Sequence, residues 1–215
     1  FEYSLDARFA TFPSAERETR VSIYEAFIGV HSRSNRWSLR LGQVWIKELG
    51  GLGSVAGFQG EFRIVEPTAI GSLRFGLFGG LESLLYEADC AEDVRKGGAY
   101  VAVDGAKGRR HVLGYVTVRN SGLTERAVVV FNNFLPISRT FSLYQALEYD
   151  TTGPADVGEA EMTYFFANLR FSPTRLLDLQ ATYHRGLSVD TRAITRDRLD
   201  DRPVSVDALN GLLFE

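Results

Sequence analysis

The stretch that decides the fold is NLRFSPTRLLDLQATYHRG, residues 168–186. Apolar residues take every second position on both sides of a turn at residues 172–175: Leu169, Phe171, Leu177, Leu179 and Tyr183. Polar residues fill the positions between them: Asn168, Arg170, Asp178, Gln180 and His184. Successive side chains of a strand point to opposite faces, so this pattern predicts an amphipathic β-hairpin. The hairpin alone leaves open whether its apolar face meets a protein core or lipid.

The same alternation recurs along the rest of the chain. We predict further strands at about 1–12, 20–31, 36–46, 58–65, 70–80, 99–104, 110–120, 125–134 and 140–149. Residues 82–96 are compatible with a short helix inside a loop. The even spacing and the β-branched and aromatic residues are typical of an antiparallel meander. We therefore expect one all-β domain over residues 1–215, an up-and-down meander of about 11–12 strands.

Composition narrows the classes of function. Lys and Arg total 24 against 27 Asp and Glu, a net charge of −3, which gives no basic footprint for nucleic acid. No stretch approaches the roughly 18–20 apolar residues of a transmembrane helix, although barrel strands escape this criterion. The single cysteine, Cys90, excludes an intramolecular disulfide. His111 and His184 have no partner at metal-ligand spacing, so we predict no metal site.

The predicted connections alternate in length. Those after the second, fourth, sixth, eighth and tenth strands are short, whereas those at 47–57, 81–98, 150–158 and 187–210 are long. The short link after the seventh strand breaks the alternation. Tight turns at one end and longer loops at the other are typical of outer-membrane barrels. Aromatic residues near strand ends agree with this interpretation, because interfacial girdles lie there. We therefore favour a transmembrane β-barrel, or part of one, over a soluble sandwich.

In its strand rhythm the chain resembles bacterial outer-membrane β-barrel proteins of the porin-like kind. The resemblance covers most of residues 1–186, and its most specific piece is WSLRLGQVWIKELGGLGSVAGFQGEFRI, 37–64. There a strand with a Leu-Gly-Gln end is followed by a Gly-rich loop and a returning strand through Phe58-Gln59-Gly60. The resemblance implies an outer-membrane location, the lipid bilayer as partner, and a role in solute passage or surface architecture, with no organic cofactor.

The strand count departs from the pattern of that family. About eleven strands is an odd number, whereas complete single-chain bacterial barrels have an even one. Either ALNGLLFE, residues 208–215, begins a twelfth strand, or the barrel continues beyond this sequence. We expect a mature protein without its leader, or a segment of a longer chain.

A barrel of this kind would place the charged strand faces in its lumen. The candidate lumen-lining residues are Arg8, Arg40, Glu61, Arg63, Arg74, Arg119, Arg170 and Asp178. Lumen charge sets the selectivity of a pore. The excess of arginine predicts a preference for small hydrophilic solutes that are anionic.

Other functions have less support from the sequence. His31 and Ser34 in VHSRSNRW, 30–37, fall on opposite faces of a strand, and the Ser and Asn residues there favour a turn, so we predict no enzyme. The alternative is a soluble all-β module of the jelly-roll or sandwich type that binds carbohydrate or another ligand. Its aromatic platform would be Tyr115, Tyr144 and Tyr164. The Asp- and Arg-rich stretch 187–210 is compatible with calcium binding, with a lumen constriction or with a solvated loop.

Overall fold

The computed structural model describes residues 1–10, 20–68, 71–83, 90–120, 122–152 and 160–186. In these ranges eleven strands form one antiparallel sheet in the order of the chain. They are β1 (Glu2–Ala10), β2 (Arg20–His31), β3 (Trp37–Trp45), β4 (Ser54–Thr68), β5 (Gly71–Ser83), β6 (Cys90–Asp104), β7 (Arg110–Asn120), β8 (Leu123–Pro136), β9 (Phe141–Asp150), β10 (Glu161–Thr174) and β11 (Leu177–Gly186). The predicted all-β, up-and-down meander is therefore confirmed. Within the residues described, β1 pairs only with β2 and β11 only with β10, so the sheet is open.

The largest difference from the predicted strands lies in β6. This strand begins at Cys90 instead of residue 99, so 90–96 are strand and not helix. Residues 82 and 83 belong to β5, while 84–89 fall outside the described part. The early start is stabilised by pairing of Ser83 with Cys90 and by a small buried cluster of Ala91, Val94 and Val118. Tertiary packing thus overrides the weak helical pattern.

The connections between strands are short at one end of the sheet. The strand ends joined in the pairs β2–β3, β4–β5, β6–β7, β8–β9 and β10–β11 lie at one end of the sheet. The strand ends joined in the pairs β3–β4, β5–β6, β7–β8 and β9–β10 lie at the opposite end. The link between β5 and β6 is far shorter than the predicted loop 81–98, because both strands extend into it. We call these the short-turn end and the long-loop end.

The two faces of the sheet differ sharply in burial. Cross-strand partners share a face, and one row across the sheet is Arg40, Gln59, Phe78, Gly98, Val116 and Val128. We call this the inner face, since Phe78, Val116 and Val128 are buried there. A row on the opposite, outer face is Leu39, Gly60, Leu77, Ala99, Tyr115 and Val129. Leu77 and Tyr115 are 55% and 46% exposed, so the outer face is both apolar and open.

The inner face is covered in part by the link between β3 and β4. Residues Lys47–Gly53 form a 3₁₀ turn, which we call the β3–β4 segment, and Leu49 within it is 1% exposed. A Cβ on Gly114 would lie 2.4 Å from Leu49 Cδ2, so only glycine leaves room for Leu49 on β7. Asn132 Nδ2 of β8 donates to the Glu48 carbonyl oxygen at 2.6 Å. The main hydrophobic core therefore lies between the β3–β4 segment and the inner face of β4–β8.

Candidate functional site: the polar cleft of the inner face

Arg74 of β5 is the centre of a buried ion network. Its Nη1 lies 2.7 Å from Glu48 Oε1 and 3.0 Å from Glu61 Oε2, and its Nε lies 2.7 Å from Asp104 Oδ2. The Arg74 side chain is only 7% exposed. A buried charge is tolerated when it is paired and hydrogen-bonded, as this guanidinium is by three carboxylates. The network joins β4, β5, β6 and the β3–β4 segment.

Tyr100 extends the network across β6. Its hydroxyl donates to Glu61 Oε2 at 2.9 Å and accepts from Gln59 Nε2, also at 2.9 Å. A Cβ on Gly76 would lie 2.1 Å from the Tyr100 ring, so Gly76 gives the ring its space. The Tyr100 residue is 2% exposed, and its hydroxyl bonds the same Glu61 oxygen, Oε2, that Arg74 Nη1 bonds.

Arg40 anchors the other wall. Its Nε and Nη2 bond both carboxylate oxygens of Glu2 at 2.8 and 3.3 Å, a bidentate arrangement that is stronger than a single contact. Nη1 reaches Gln59 Oε1 at 3.3 Å, and the guanidinium carbon sits 5.0 Å from the Phe27 ring centroid. Arg63 Nη2 bonds Glu61 Oε1 at 3.0 Å. β1–β4 are thus linked by side chains as well as by their ladders.

These groups border a polar cleft of about 360 Å³. Its lining residues are Ser4, Glu25, Phe27, Arg40, Trp45, Lys47, Glu48, Gln59, Glu61, Arg63, Arg74 and Arg110. Five cations and three carboxylates are among them, but Glu2 and Asp104 stand directly behind Arg40 and Arg74. Counting those two, the charges balance at five to five. The cleft can hold water and small polar molecules without a strong field of either sign.

A second ion cluster lies on the inner face toward the long-loop end. Lys96 Nζ is 3.2 Å from Glu82 Oε1, and Arg126 Nε is 2.9 Å from Asp150 Oδ2. Arg126 Nη2 also approaches Glu148 Oε2 at 3.9 Å. The apolar core separates this cluster from the polar cleft. The predicted lumen set did not include it: Glu82, Lys96 and Asp150 lie outside the predicted strands, and Arg126 and Glu148 lie near the ends of predicted strands 125–134 and 140–149.

Four of the predicted lumen residues come together in the cleft. They are Arg40, Glu61, Arg63 and Arg74. Arg170 and Asp178 also occupy the inner-face side of the hairpin, but they pair with each other at 2.5 Å in the exposed β10–β11 region. Arg8 is exposed and lies opposite Ser22, beyond a register shift after Asp6. Neither the Arg170–Asp178 pair nor Arg8 belongs to the cleft.

Arg119 lies on the opposite face from the other candidates. A lumen position for Arg119 requires Val112, Gly114, Val116 and Val118 to face outward, because neighbouring residues of a strand alternate between its faces. The structure reverses this assignment, because those positions pack inward against the β3–β4 segment and β8. Arg119 shares the outer face with Tyr115. An inward-folded segment creates a core on the inner side, and alternation alone does not reveal which apolar face it covers.

Several members of the network were absent from the predicted set. Glu2 and Asp104 lie on the same face of the sheet as the lumen candidates. The alternation of β1 and β6, read together with their pairing to β2 and β5, would have identified them. Glu48 lies in a link, where strand parity gives no direction. Tyr100 lies in the short strand predicted at 99–104 and was not among the predicted lumen residues.

Other sequence predictions have different outcomes. Residues 32–36 form the expected turn, in which Ser32 Oγ accepts from the Arg36 amide at 2.8 Å. The proposed aromatic platform is divided, because Tyr115 is on the outer face while Tyr144 and Tyr164 are on the inner one. Loop 187–210 lies outside the described residues. In the described ranges no three His, Cys, Asp or Glu side chains are grouped as metal ligands, and no helix is long and apolar enough to cross a membrane.

Comparisons with known protein families, with curated proteins and with solved structures found no match to this chain.

Proposed function

We propose that the chain is a bacterial outer-membrane β-barrel protein of the porin-like kind, or a portion of one. Its outer face contacts the lipid bilayer, and the polar cleft of its inner face lies on a route for small hydrophilic solutes. The sequence resemblance over 37–64 supports the class, and the distribution of polar and apolar side chains supports the orientation.

The observation that carries the proposal is the inverted polarity of the sheet. Large apolar side chains stand exposed along the outer face: Tyr3, Leu5, Ile28, Trp37, Leu39, Leu41, Phe58, Phe62, Phe75, Leu77, Leu113, Tyr115, Tyr149, Leu169, Phe171, Leu177, Leu179 and Tyr183. Soluble monomers rarely expose apolar patches above about 300–600 Å². The ion networks, in contrast, are buried on the inner face. Lipid outside and water inside is the environment that suits both faces.

The height of the apolar surface fits a bilayer. On β4 the outer-face positions run from Ala56 to Ile64. At roughly 3.3 Å per residue this stretch spans about 26 Å along the strand, and a tilt of about 40° reduces it to roughly 20 Å. Outer-membrane barrels carry an apolar band about 25 Å tall, so the two heights are comparable.

The charges of the cleft modify the expected selectivity. Counting arginines alone favoured anionic solutes, but Glu2, Glu48 and Asp104 neutralise the same side chains. A pore whose wall charges balance discriminates weakly between cations and anions. We therefore propose passage of small hydrophilic solutes with little preference for either sign.

The test is extraction followed by conductance. The protein should require detergent for extraction, show heat-modifiable gel mobility, and give discrete conductance steps in a planar bilayer with a reversal potential near zero in a KCl gradient. A folded monomer in plain buffer without detergent would overturn the barrel. Heat-modifiable protein that inserts without conductance would leave a structural barrel and overturn the solute route.

A further inference from the structure

Two arginines face each other on the outer face near the long-loop end. Arg95 of β6 and Arg119 of β7 are direct cross-strand partners, and both are exposed. Like charges placed opposite each other in a sheet destabilise it. Among the described residues neither guanidinium has a carboxylate partner, whereas Arg185, another outer-face arginine, lies 3.8 Å from Glu161. Glu125, near in the fold, accepts from Asn120. The two guanidinium groups of this pair therefore lie side by side without a carboxylate partner among the described residues.

An apolar groove lies on the same face below this pair. It has a volume of about 660 Å³ and almost no polar lining. Its floor is low because Gly60 and Ala99 alternate with the taller side chains of Phe62, Leu77 and Tyr115. Gly97, the next outer-face residue of β6, has no side chain and extends the floor of the groove toward Arg95. The volume is within the roughly 300–1,000 Å³ of ligand pockets.

The distance between the groove and the arginines matches the anatomy of a lipid. The row of Ala99 and Tyr115 is four residues from the row of Arg95 and Arg119, about 13 Å along the strands. The row of Gly97 and Thr117 lies midway. If that row marks the hydrocarbon boundary, the guanidinium groups sit about 7 Å above it, in the headgroup layer of about 5–7 Å. A phosphate at the arginines would place its acyl chain over the groove.

We propose that Arg95 and Arg119 bind the phosphate of an anionic, acylated lipid whose acyl chain occupies the groove at Gly60, Leu77, Ala99 and Tyr115. Two parallel guanidinium forks match phosphate oxygens, and the anion removes the repulsion between them. The apolar groove selects an acylated ligand over a free ion. This inference rests on the proposed function, since the outer face must lie in a bilayer.

The experiment measures bound lipid on protein in neutral detergent micelles. Native mass spectrometry would count phosphatidylglycerol and phosphatidylcholine with identical acyl chains, each titrated separately, with inorganic phosphate as competitor. We expect phosphatidylglycerol to bind more tightly than phosphatidylcholine. The double variant Arg95→Gln/Arg119→Gln should lose about tenfold in affinity for phosphatidylglycerol, because each interfacial cation attracts an anionic lipid.

Two further variants separate the parts of the site. Arg109→Gln/Arg139→Gln removes the same charge from exposed positions at the short-turn end and should leave binding unchanged. Ala99→Leu adds bulk at an exposed floor position and should weaken phospholipid binding without affecting the heat-modifiable fold.

The outcomes distinguish this site from the barrel itself. Equal binding of both lipids by a heat-modifiable, membrane-inserted protein overturns the lipid site alone. Full competition by millimolar phosphate, or an unaltered affinity in Ala99→Leu, shows an anion contact without an acyl groove and also overturns it. A protein that is monomeric without detergent overturns the proposed function instead.

Discussion

Arg74 is the single residue on which the polar cleft depends most. Replacing it in Arg74→Met leaves Glu48, Glu61 and Asp104 without their shared cation in a buried place. Removing one partner from a buried ion pair costs about 3–5 kcal/mol, so we expect the free energy of unfolding to fall by that amount. Urea unfolding of the folded protein in detergent micelles measures it. Arg170→Met is the control, because the exposed pair with Asp178 contributes little, and an equal loss in both variants would contradict a special role for Arg74.

Glu25 and Lys47 test the charge balance of the cleft. Both line it, Glu25 accepting from Ser4 Oγ at 3.1 Å and Lys47 standing exposed on the β3–β4 segment. Glu25→Gln should shift the reversal potential in a KCl gradient toward anion preference, and Lys47→Gln should shift it by a similar amount in the opposite direction. Shifts of the same sign, or none in either variant, would mean that the conducting route avoids the cleft.

The cleft also shows which residues a sequence can place. Arg40, Glu61 and Arg74 were predicted on one face because the period of two runs without interruption through the paired parts of β3, β4 and β5. Arg8 follows the same period along β1 but does not line the cleft. The register of β1 against β2 shifts after Asp6, and the extra residue in β2 is invisible in the alternation of β1. The side-chain direction of Glu48 was not predictable, since residues of a connection do not alternate between two faces as strand residues do.

At the scale of elements, the β3–β4 segment is the feature that distinguishes the two faces. Leu49 packs over Gly114 and belongs to the same buried cluster as Tyr100. Leu49→Ala should therefore remove about 2–5 kcal/mol of stability and raise the single-channel conductance as the segment loosens. Thermal unfolding and bilayer recordings measure the two effects. Lower stability with unchanged conductance would place the segment outside the solute route.

Gly114→Ala provides the complementary change. In the native background the new Cβ would lie 2.4 Å from Leu49 Cδ2, so we expect destabilisation from overpacking of about 1–3 kcal/mol. In the Leu49→Ala background the clash disappears, and the second substitution should cost much less. Unfolding free energies of the four proteins form a double-mutant cycle, and simple additivity would contradict the contact.

The sequence predicts where the strands lie far better than it predicts which face of a strand points inward. Strands β2 and β7 were predicted with the boundaries that the structure has, because hydrophobic alternation and turn residues mark them. The face of β7 was reversed, since both sides of that strand are apolar: Val112 and Val116 inward, Leu113 and Tyr115 outward. Only the position of the β3–β4 segment decides between them, and it comes from contacts distant in sequence.

At the scale of the whole molecule, one substitution separates a membrane barrel from a soluble sheet. Leu77 is 55% exposed in the middle of the outer face, so Leu77→Arg would cost little in a protein surrounded by water. In a bilayer an outward arginine near the midplane of a barrel costs about 2–4 kcal/mol. We expect Leu77→Arg to reduce the unfolding free energy in phospholipid vesicles by this amount. Leu176→Arg, in the fully exposed turn between β10 and β11, is the matched control and should behave as the unmodified protein does. If both variants are equally stable in vesicles, the outer face does not meet lipid, and the apolar surface must be covered in another way.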